Sequence, residues 1–495
     1  MKHFHRLLSG LLLCLLLAAA FPPAPAAALS DVPDGFWAEN DIRRCVELGY
    51  IYPESNGSFG VGKELTRAEF LVILSRFFGW KAASPARLVY DDVSEEAWYA
   101  GVIESAYQQG VLTNQSHGFR PDDPITRSEA AYLLIRALGY GNIAGLIQDI
   151  SLPFQDVRIN TGYIAMAYGL GLMDGASVTT FNPDGRLTRE QAAVLLMRLH
   201  EKTQAVNTGW SGILTSAQDI PDLSGCEAVA IAAFQLTYNG SPQLSPILSD
   251  TETTALRAAA KEAQVKQLLY VSGDDYHLRE NAPEMAAVLL QAVRDGNYDG
   301  LFLDITGLTN NTQQKALSET ARLLREGLTG GRLLYLTAEA PSWGGRVYGY
   351  DYAALGEAAD RLVLRIDYPA STAGGIPTAP LQPLEEVYYA LNRLRGLVDA
   401  GKITLLLDST GSLWNSGVFQ ENIPGEEIAA LLENAQSYYS SRYACAYLED
   451  GGTVVWYLDG QSIQDRTRLA RLFGGGRLCL TNLNGVLPEL LAAMP

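Results

Sequence analysis

Two kinds of apolar pattern follow one another along the chain, and they change over in the short polar stretch from Glu201 to Trp210. Before it, apolar residues recur at helical spacing in short runs that end in glycine: Ile42 to Gly49, Val102 to Gly110 and Ile164 to Gly171. Such runs predict amphipathic helices with glycine at the C-terminal end. After it, short continuous apolar runs predict strands at Ala228–Phe234, Gln267–Ser272, Gly300–Ile305, Arg332–Thr337, Leu362–Ile366, Ile403–Leu407, Thr453–Leu458 and Arg477–Leu480. Helix-like stretches such as Glu252–Ala263, Ala282–Asp295, Gln313–Gly327 and Leu384–Ala400 separate them. Eight strands alternating with helices predict an α/β (β/α)8 TIM barrel. An open doubly wound sheet is the rival, and strand count favours the barrel.

The helical part is a threefold repeat. Each copy opens on an Asp-Val pair followed by an aromatic: Asp31-Val32 with Trp37, Asp92-Val93 with Trp98, Asp156-Val157 with Tyr163. Each closes on a Thr-Arg pair that starts a second helix, at Thr66-Arg67, Thr126-Arg127 and Thr188-Arg189. Thr is a good N-cap, and Glu69, Glu129 and Gln191 stand three residues on, as in a capping box. An arginine in the first turn opposes the helix dipole. One structural ion pair explains that once; three copies favour an anionic ligand.

These motifs resemble the S-layer homology (SLH) domain. The resemblance implies an α-helical, pseudo-threefold unit with ligand grooves between repeats, binding pyruvylated secondary cell-wall polysaccharide. It puts Arg67, Arg127 and Arg189 on the ketal carboxylate or nearby hydroxyls, with the early acidic and aromatic residues also in the grooves. Trp37 and Trp98 then stack on sugar faces; packing inside the first helix is their other reading. Repeats two and three share Phe119-Arg120-Pro121-Asp122 and Phe181-Asn182-Pro183-Asp184, whereas repeat one has Phe59-Gly60-Val61-Gly62.

Composition narrows the setting. Met1 to Ala28 has a basic start, an apolar core from Leu7 to Phe21 and a small-residue end, the form of a cleaved signal peptide. The protein is therefore expected to be secreted to the cell wall or S-layer surface, with no stable membrane span after signal removal. The divisions expected are 1–28 signal peptide, 29–86, 87–148 and 149–202 repeats, 203–210 linker and 211–495 barrel. A net charge of −18 argues against a nucleic-acid surface over most of the molecule. Cys45, Cys226, Cys445 and Cys479 form no CxxC pair, so no zinc site is expected, and no cofactor is implied. One disulfide, of Cys226 with Cys445 or Cys479, and buried free thiols both remain open.

Candidate chemistry in the barrel centres on Tyr298-Asp299-Gly300-Leu301-Phe302-Leu303-Asp304-Ile305-Thr306-Gly307. This resembles the strand-4 signature Asp-Gly-x-Asp-x-Asp-x-Glu of family-18 glycoside hydrolases, the chitinases and spore-cortex glucosaminidases. Asp299, Gly300 and Asp304 match it. Phe302 replaces an aspartate, and Thr306 replaces the glutamate that serves as general acid. Lys402-Ile403-Thr404-Leu405-Leu406-Leu407-Asp408 and Val455-Trp456-Tyr457-Leu458-Asp459 match later parts of the family pattern, the second as its penultimate strand. Thr410 and Thr481 stand where the family has a tyrosine and a floor tryptophan.

The resemblance implies substrate-assisted hydrolysis, in which the substrate's acetamide attacks and an aspartate orients it. Asp304 keeps that position, but a threonine hydroxyl cannot protonate a leaving group, and losing general acid catalysis costs roughly 10²–10⁴-fold. Asp274, Asp275, Glu339, Asp367 and Asp408 are nearby carboxylates, each also readable as a structural rim residue. Asp299, Tyr276, Glu339, Asp367, Tyr368 and Trp414 are the candidates for holding a glycan, chitin-like or from peptidoglycan. The expectation is a surface-anchored barrel that binds glycan without cutting it. The alternatives are an N-acetylglucosaminidase with a displaced acid, and an S-layer scaffold with no sugar site.

Overall fold

The structure, a computed structural model, describes residues 29–84, 88–113, 118–148, 150–204, 208–275, 278, 281–341, 349–366, 380, 382–415 and 418–495. The expected signal peptide lies outside them. Among the described residues no helix is long and apolar enough to cross a membrane. The chain divides into two compact units, residues 1–201 and 202–495.

The first unit is helical: α1 (Glu39–Glu47), α2 (Arg67–Phe78), α3 (Ala100–Gln108), α4 (Arg127–Ala137), α5 (Gly141–Leu146), α6 (Thr161–Gly169) and α7 (Arg189–Gln204). Thr66 and Thr126 cap α2 and α4 with complete capping boxes. At α7 only half of the expected box forms. Gln191 accepts the Thr188 N–H at 3.2 Å, but the Thr188 hydroxyl is buried without a partner among the described residues. The residues just before the three arginines close a ring of backbone hydrogen bonds. Leu65 N–H donates to Leu187, Leu187 to Ile125 and Ile125 to Leu65, at 2.9, 3.1 and 2.9 Å. Three equivalent segments satisfying one another's buried peptide groups is the pseudo-threefold axis.

The second unit is a closed barrel of eight parallel strands. These are β1 (Gly209–Leu214), β2 (Cys226–Tyr238), β4 (Lys266–Asp274), β5 (Gly300–Thr306), β6 (Leu333–Glu339), β7 (Arg361–Arg365), β8 (Ile403–Leu407) and β14 (Arg477–Leu480). Each pairs with the next, and β14 pairs with β1 to close the ring. β3 (Pro242–Pro246) adds an antiparallel edge on β2. Outside lie α8 (Asp250–Glu262), α9 (Ala282–Asp295), α10 (Asn311–Gly327), α11 (Tyr352–Ala358) and α12 (Leu384–Leu394). Strand residues alternate between helix layer and interior. Ala228, Ala230 and Ala232 of β2 share the interior with Phe302 and Tyr335. Gly300 is obligatory, because a Cβ there would lie 2.2 Å from the Leu333 carbonyl oxygen.

Two strand assignments are corrected. The first barrel strand is β1, whose start had been placed in the linker; its six residues are all buried. Its Ser and Gly break the apolar run, and Gly212 is needed because Leu483 packs where a Cβ would be. Conversely, Thr453–Tyr457 (β13) is not a barrel strand. It belongs to a five-stranded antiparallel sheet with β9 (Gly411–Asn415), β10 (Val418–Ile423), β11 (Ser437–Ser440) and β12 (Cys445–Asp450). Gly451 and Gly452, both at positive φ, form the two-residue turn that pairs β13 with β12. That turn fixes an antiparallel partner, which a strand followed by a helix does not reveal by itself. α13 (Gly425–Leu432) lies within this insertion; α14 (Gly460–Leu472) and α15 (Pro488–Ala492) flank β14. Cys45, Cys226, Cys445 and Cys479, the four cysteines among the described residues, are buried and free, so neither expected disulfide forms.

Candidate functional site

In the first unit each motif arginine reaches into another repeat. The Nε of Arg67 donates to the Phe119 carbonyl at 2.8 Å, Arg127 to Phe181 at 3.0 Å and Arg189 to Phe59 at 2.7 Å. Each guanidinium also lies over the ring of that phenylalanine, 4.7–5.1 Å from its centroid. The result is a cyclic clasp of charge-assisted hydrogen bond and cation–π contact. Nη2 of Arg127 adds a bond to the Asp174 carbonyl, and that of Arg189 one to Tyr52. Arg67 instead pairs through Nη1 with Glu129 at 2.8 Å. Burial lowers the pKa of all three guanidinium groups.

The opening aspartates, expected among the groove residues, each accept backbone N–H groups of a turn. Asp31 accepts the N–H groups of Phe59, Gly60 and Val61; Asp92 those of Phe119 and Arg120; Asp156 those of Phe181 and Asn182. Each aspartate holds the turn that its neighbour's arginine grips. Burial alone would raise the pKa of Asp31, but the three donated N–H groups outweigh it and hold it below the usual carboxylate value. Gly60, Arg120 and Asn182 all adopt left-handed φ, at 86°, 58° and 59°. Repeat one therefore shares the turn of the others despite its different sequence, and glycine is the residue that conformation favours.

Two grooves flank the arginines. One, of about 260 Å³, is lined by Arg67, Tyr90, Phe119, Arg120, Glu129, Tyr132 and Asn160. The other, of about 240 Å³, is lined by Trp37, Arg127, Asp174, Gln191 and Arg198. Trp37 and Trp98 are 62% and 65% exposed, so neither is core packing for the first helix.

In the barrel, Asp304 lies one layer above Phe302 on the inward face of β5. Its side chain is 3% exposed. Oδ2 accepts the Tyr270 hydroxyl and Nη2 of Arg365, both at 2.6 Å. Oδ1 is buried with no partner among the described residues. Burial, and then the Asp304 charge, push the Tyr270 phenol well above its ordinary pKa. Arg365 falls within the strand expected at Leu362–Ile366; its inward position follows from strand parity, but its partner does not.

Thr306 ends β5 half-buried. Beside it, the Gly307 N–H donates to Oε1 of Glu339 at 2.7 Å, placing that carboxylate at the neighbouring strand end. Tyr352 donates to the Glu339 carbonyl at 2.8 Å and Tyr350 to the Ile305 carbonyl at 3.0 Å. Asp408 is a structural acceptor: the Thr410 N–H and hydroxyl and the Thr481 hydroxyl all point to its Oδ1. The two threonines thus tie the end of β8 to that of β14.

Other candidates fall elsewhere. Asp299 precedes β5 at the opposite end of the barrel, where its Oδ2 accepts the Gln267 N–H at 2.8 Å; it is not a mouth residue. Trp414 belongs to β9 of the inserted sheet rather than to a rim loop, and packs on Phe419 at 4.7 Å. Tyr276, Asp367 and Tyr368 lie outside the described residues.

The S-layer homology domain family matches residues 29–71, 89–131 and 153–193. The Surface-layer 125 kDa protein of Lysinibacillus sphaericus is 28% identical over 200 residues, 39% of this chain and 16% of that protein. An endoglucanase of Bacillus sp. (strain KSM-635) is 29% identical over 218 residues, 40% of this chain and 22% of that one. The chain spans about a fifth of the length of these curated relatives. Among solved structures, a class V chitinase from Pseudomonas fluorescens Pf-5 superposes with a TM-score of 0.50 at 17% identity, covering 58% of this chain and 98% of that one. That likeness establishes the fold and not the chemistry. The chain thus carries three repeats that match the S-layer homology domain, as that surface-layer protein does, followed by a (β/α)8 barrel with the fold of that chitinase.

Proposed function

We propose that the three repeats anchor the chain to a pyruvylated secondary wall polysaccharide, and that the barrel binds an N-acetylglucosamine-containing glycan without hydrolysing it. The observation that carries the second part is the Asp304–Arg365 pair. A carboxylate meant to orient an acetamide must be free to turn toward substrate. Here one oxygen is taken by a guanidinium and a phenol, and no carboxylic acid stands at Thr306. In the grooves, the clasp holds Arg67, Arg127 and Arg189 at fixed positions, and Trp37 supplies an exposed face beside Arg127 for stacking.

One observation favours hydrolysis as a second reading. Glu339 stands at the end of β6, within hydrogen-bond reach of the residue after Thr306. The test is incubation of the full chain with β-1,4-linked N-acetylglucosamine oligosaccharides and peptidoglycan. We expect binding with no cleavage. Cleavage that disappears in both Asp304→Ala and Glu339→Gln would replace the binding reading with the enzymatic one. For the anchor, the chain should sediment with wall sacculi and stop doing so once the secondary polymer is stripped. Sedimentation unchanged by stripping would refute the ligand.

A further inference from the structure

The barrel end opposite Asp304 carries a charged cluster that neither the grooves nor the mouth uses. Arg361 opens β7, Arg477 opens β14 and Glu227 is the second residue of β2, so all three lie where strands begin. Val363 and Cys479, two residues further along their strands, belong to the barrel interior, and strand alternation turns Arg361 and Arg477 inward as well. The packed interior of Phe302, Tyr335, Val363, Leu406 and Cys479 separates the cluster from Asp304.

Its donors and acceptors do not balance. Glu227 is shared by both guanidinium groups, 3.5 Å from Nη2 of Arg477 and 3.8 Å from Nη2 of Arg361. Both contacts are longer than a good N–H···O hydrogen bond, about 2.9 Å. Arg361 spends Nη1 on the Asp360 carbonyl at 2.8 Å. Its Nε, and both Nε and Nη1 of Arg477, are buried without a partner among the described residues. So is the hydroxyl of Thr404, which pairs with Arg477 across the strands. Buried donors left unmade are costly and uncommon, and here three of them belong to two cations on nearby strands. Glu227 itself is seated against β1, since a Cβ on Gly209 would lie 2.2 Å from its Oε1. The side chains of Arg361, Arg477 and Glu227 keep 23%, 18% and 34% of their surface exposed, so the cluster is reached from solvent.

We propose that Arg361 and Arg477, with Thr404 beside them, form a site for a phosphate-type oxyanion at the strand-start end of the barrel. The cluster holds two cations against one carboxylate, so it carries a local positive excess in a chain of net charge −18. Guanidinium groups bind such anions through charge-assisted hydrogen bonds, which are short and strong. A tetrahedral anion offers four oxygens to donors that arrive from β7 and β14, where the planar Glu227 carboxylate offers two and meets each guanidinium only at long range. Glu227 then opposes the anion and tunes its affinity.

The test follows the second unit's thermal unfolding and calorimetric binding in the full chain, with inorganic phosphate, glycerol 3-phosphate and chloride compared at equal ionic strength. A ligand held only by the folded state raises its unfolding temperature. Phosphate should do so for the second unit and chloride should not. Arg477→Met should abolish the phosphate effect. Glu227→Gln should tighten phosphate binding by roughly tenfold, because it removes a like charge within a few ångströms. Equal binding of the two phosphates would identify the free ion as sufficient; tighter binding of the ester would identify a phosphate carried on a larger molecule. Phosphate no more stabilising than chloride would overturn the site and leave a structural ion cluster. Glu227→Gln that weakens phosphate binding, or leaves it unchanged, would overturn it too. Because Glu227 is the most exposed of the three, its variant remains interpretable even where Arg477→Met misfolds.

Discussion

The repeat interfaces and the Asp304 site each hold guanidinium groups and compensate them by different means, although the fully buried Arg466 of the second unit is also met by carbonyls, those of Ala444, Ser462 and Gln382. In the repeats, Arg67, Arg127 and Arg189 each spend Nε on a backbone carbonyl of another repeat and lie over a phenylalanine ring. In the barrel, Arg365 is paired with a buried carboxylate on another strand. The first solution shares a cation between a carbonyl and a ring, with a carboxylate added at Arg67, and can be repeated around an axis. The second concentrates two opposite charges at one point, where each depends on the other for its place in a dry interior. Removing one partner should therefore be much more damaging in the barrel than in the repeats.

The largest effect expected is that of Arg365→Met. It leaves Asp304 buried with only the Tyr270 hydroxyl for compensation, and breaking a buried pair from one side costs about 3–5 kcal/mol. Denaturant unfolding at neutral pH should show the second unit's midpoint falling accordingly. Adding Asp304→Asn should return most of the loss, because the cost is the stranded charge rather than the missing attraction. A single variant that unfolds like the parent would mean that water reaches Asp304, and the contrast between the units would collapse.

Next come Arg67→Ala, Arg127→Ala and Arg189→Ala. Each frees a phenylalanine carbonyl at an interface between repeats, and each should cost roughly 1–3 kcal/mol in the first unit's unfolding. Arg189, the most buried of the three at 8% exposure, should sit at the upper end. Lysine should rescue poorly, because a compact ammonium lacks the planar fork that reaches two acceptors while lying over a ring. If only one of the three alanine variants is destabilised, the clasp is not threefold.

The same contrast explains what could be read in the sequence. The arginines stood out because they recur behind three helix-starting threonines. Recurrence signalled importance, but it suggested a ligand and not a clasp. The clasp's other half was also repeated: aspartate and phenylalanine are separated by 28, 27 and 25 residues in the three copies. Comparing those spacings would have paired them. The barrel followed from alternating strands and helices, and Gly300 and Asp304 from the strand signature. The Asp304–Arg365 pair was not legible, since its members lie 61 residues apart on β5 and β7 and occur once. β13 was misplaced because partner choice lies in the Gly451-Gly452 turn rather than in the strand itself.

The smallest effects are in pH dependence, where the units should respond in opposite directions. Asp31 has a folded pKa below its ordinary 3.8, because the backbone N–H groups of Phe59, Val61 and Gly60 outweigh its burial. Its contribution is fully present above that unfolded value and is lost as pH falls through the lower folded one. Glu385, at the start of α12, is the reverse. Burial, aided by the neighbouring Glu386 charge, pushes its pKa up from 4.5 to about 7, and its Oε2 is buried without a partner among the described residues. The folded chain then holds a proton that the unfolded chain releases. Stability from this group is complete below about pH 4.5 and is lost as pH rises through about 7. Taking the full chain from about pH 8 to 5 should therefore stabilise the second unit, and going on to about pH 3 should destabilise the first. Glu385→Gln should flatten only the former change and Asp31→Asn only the latter, each read from its own unfolding transition. A Glu385→Gln variant whose stability still rises on acidification from about pH 8 to 5 would show that another group carries that dependence, and the assignment of opposite signs to these two carboxyls would fail.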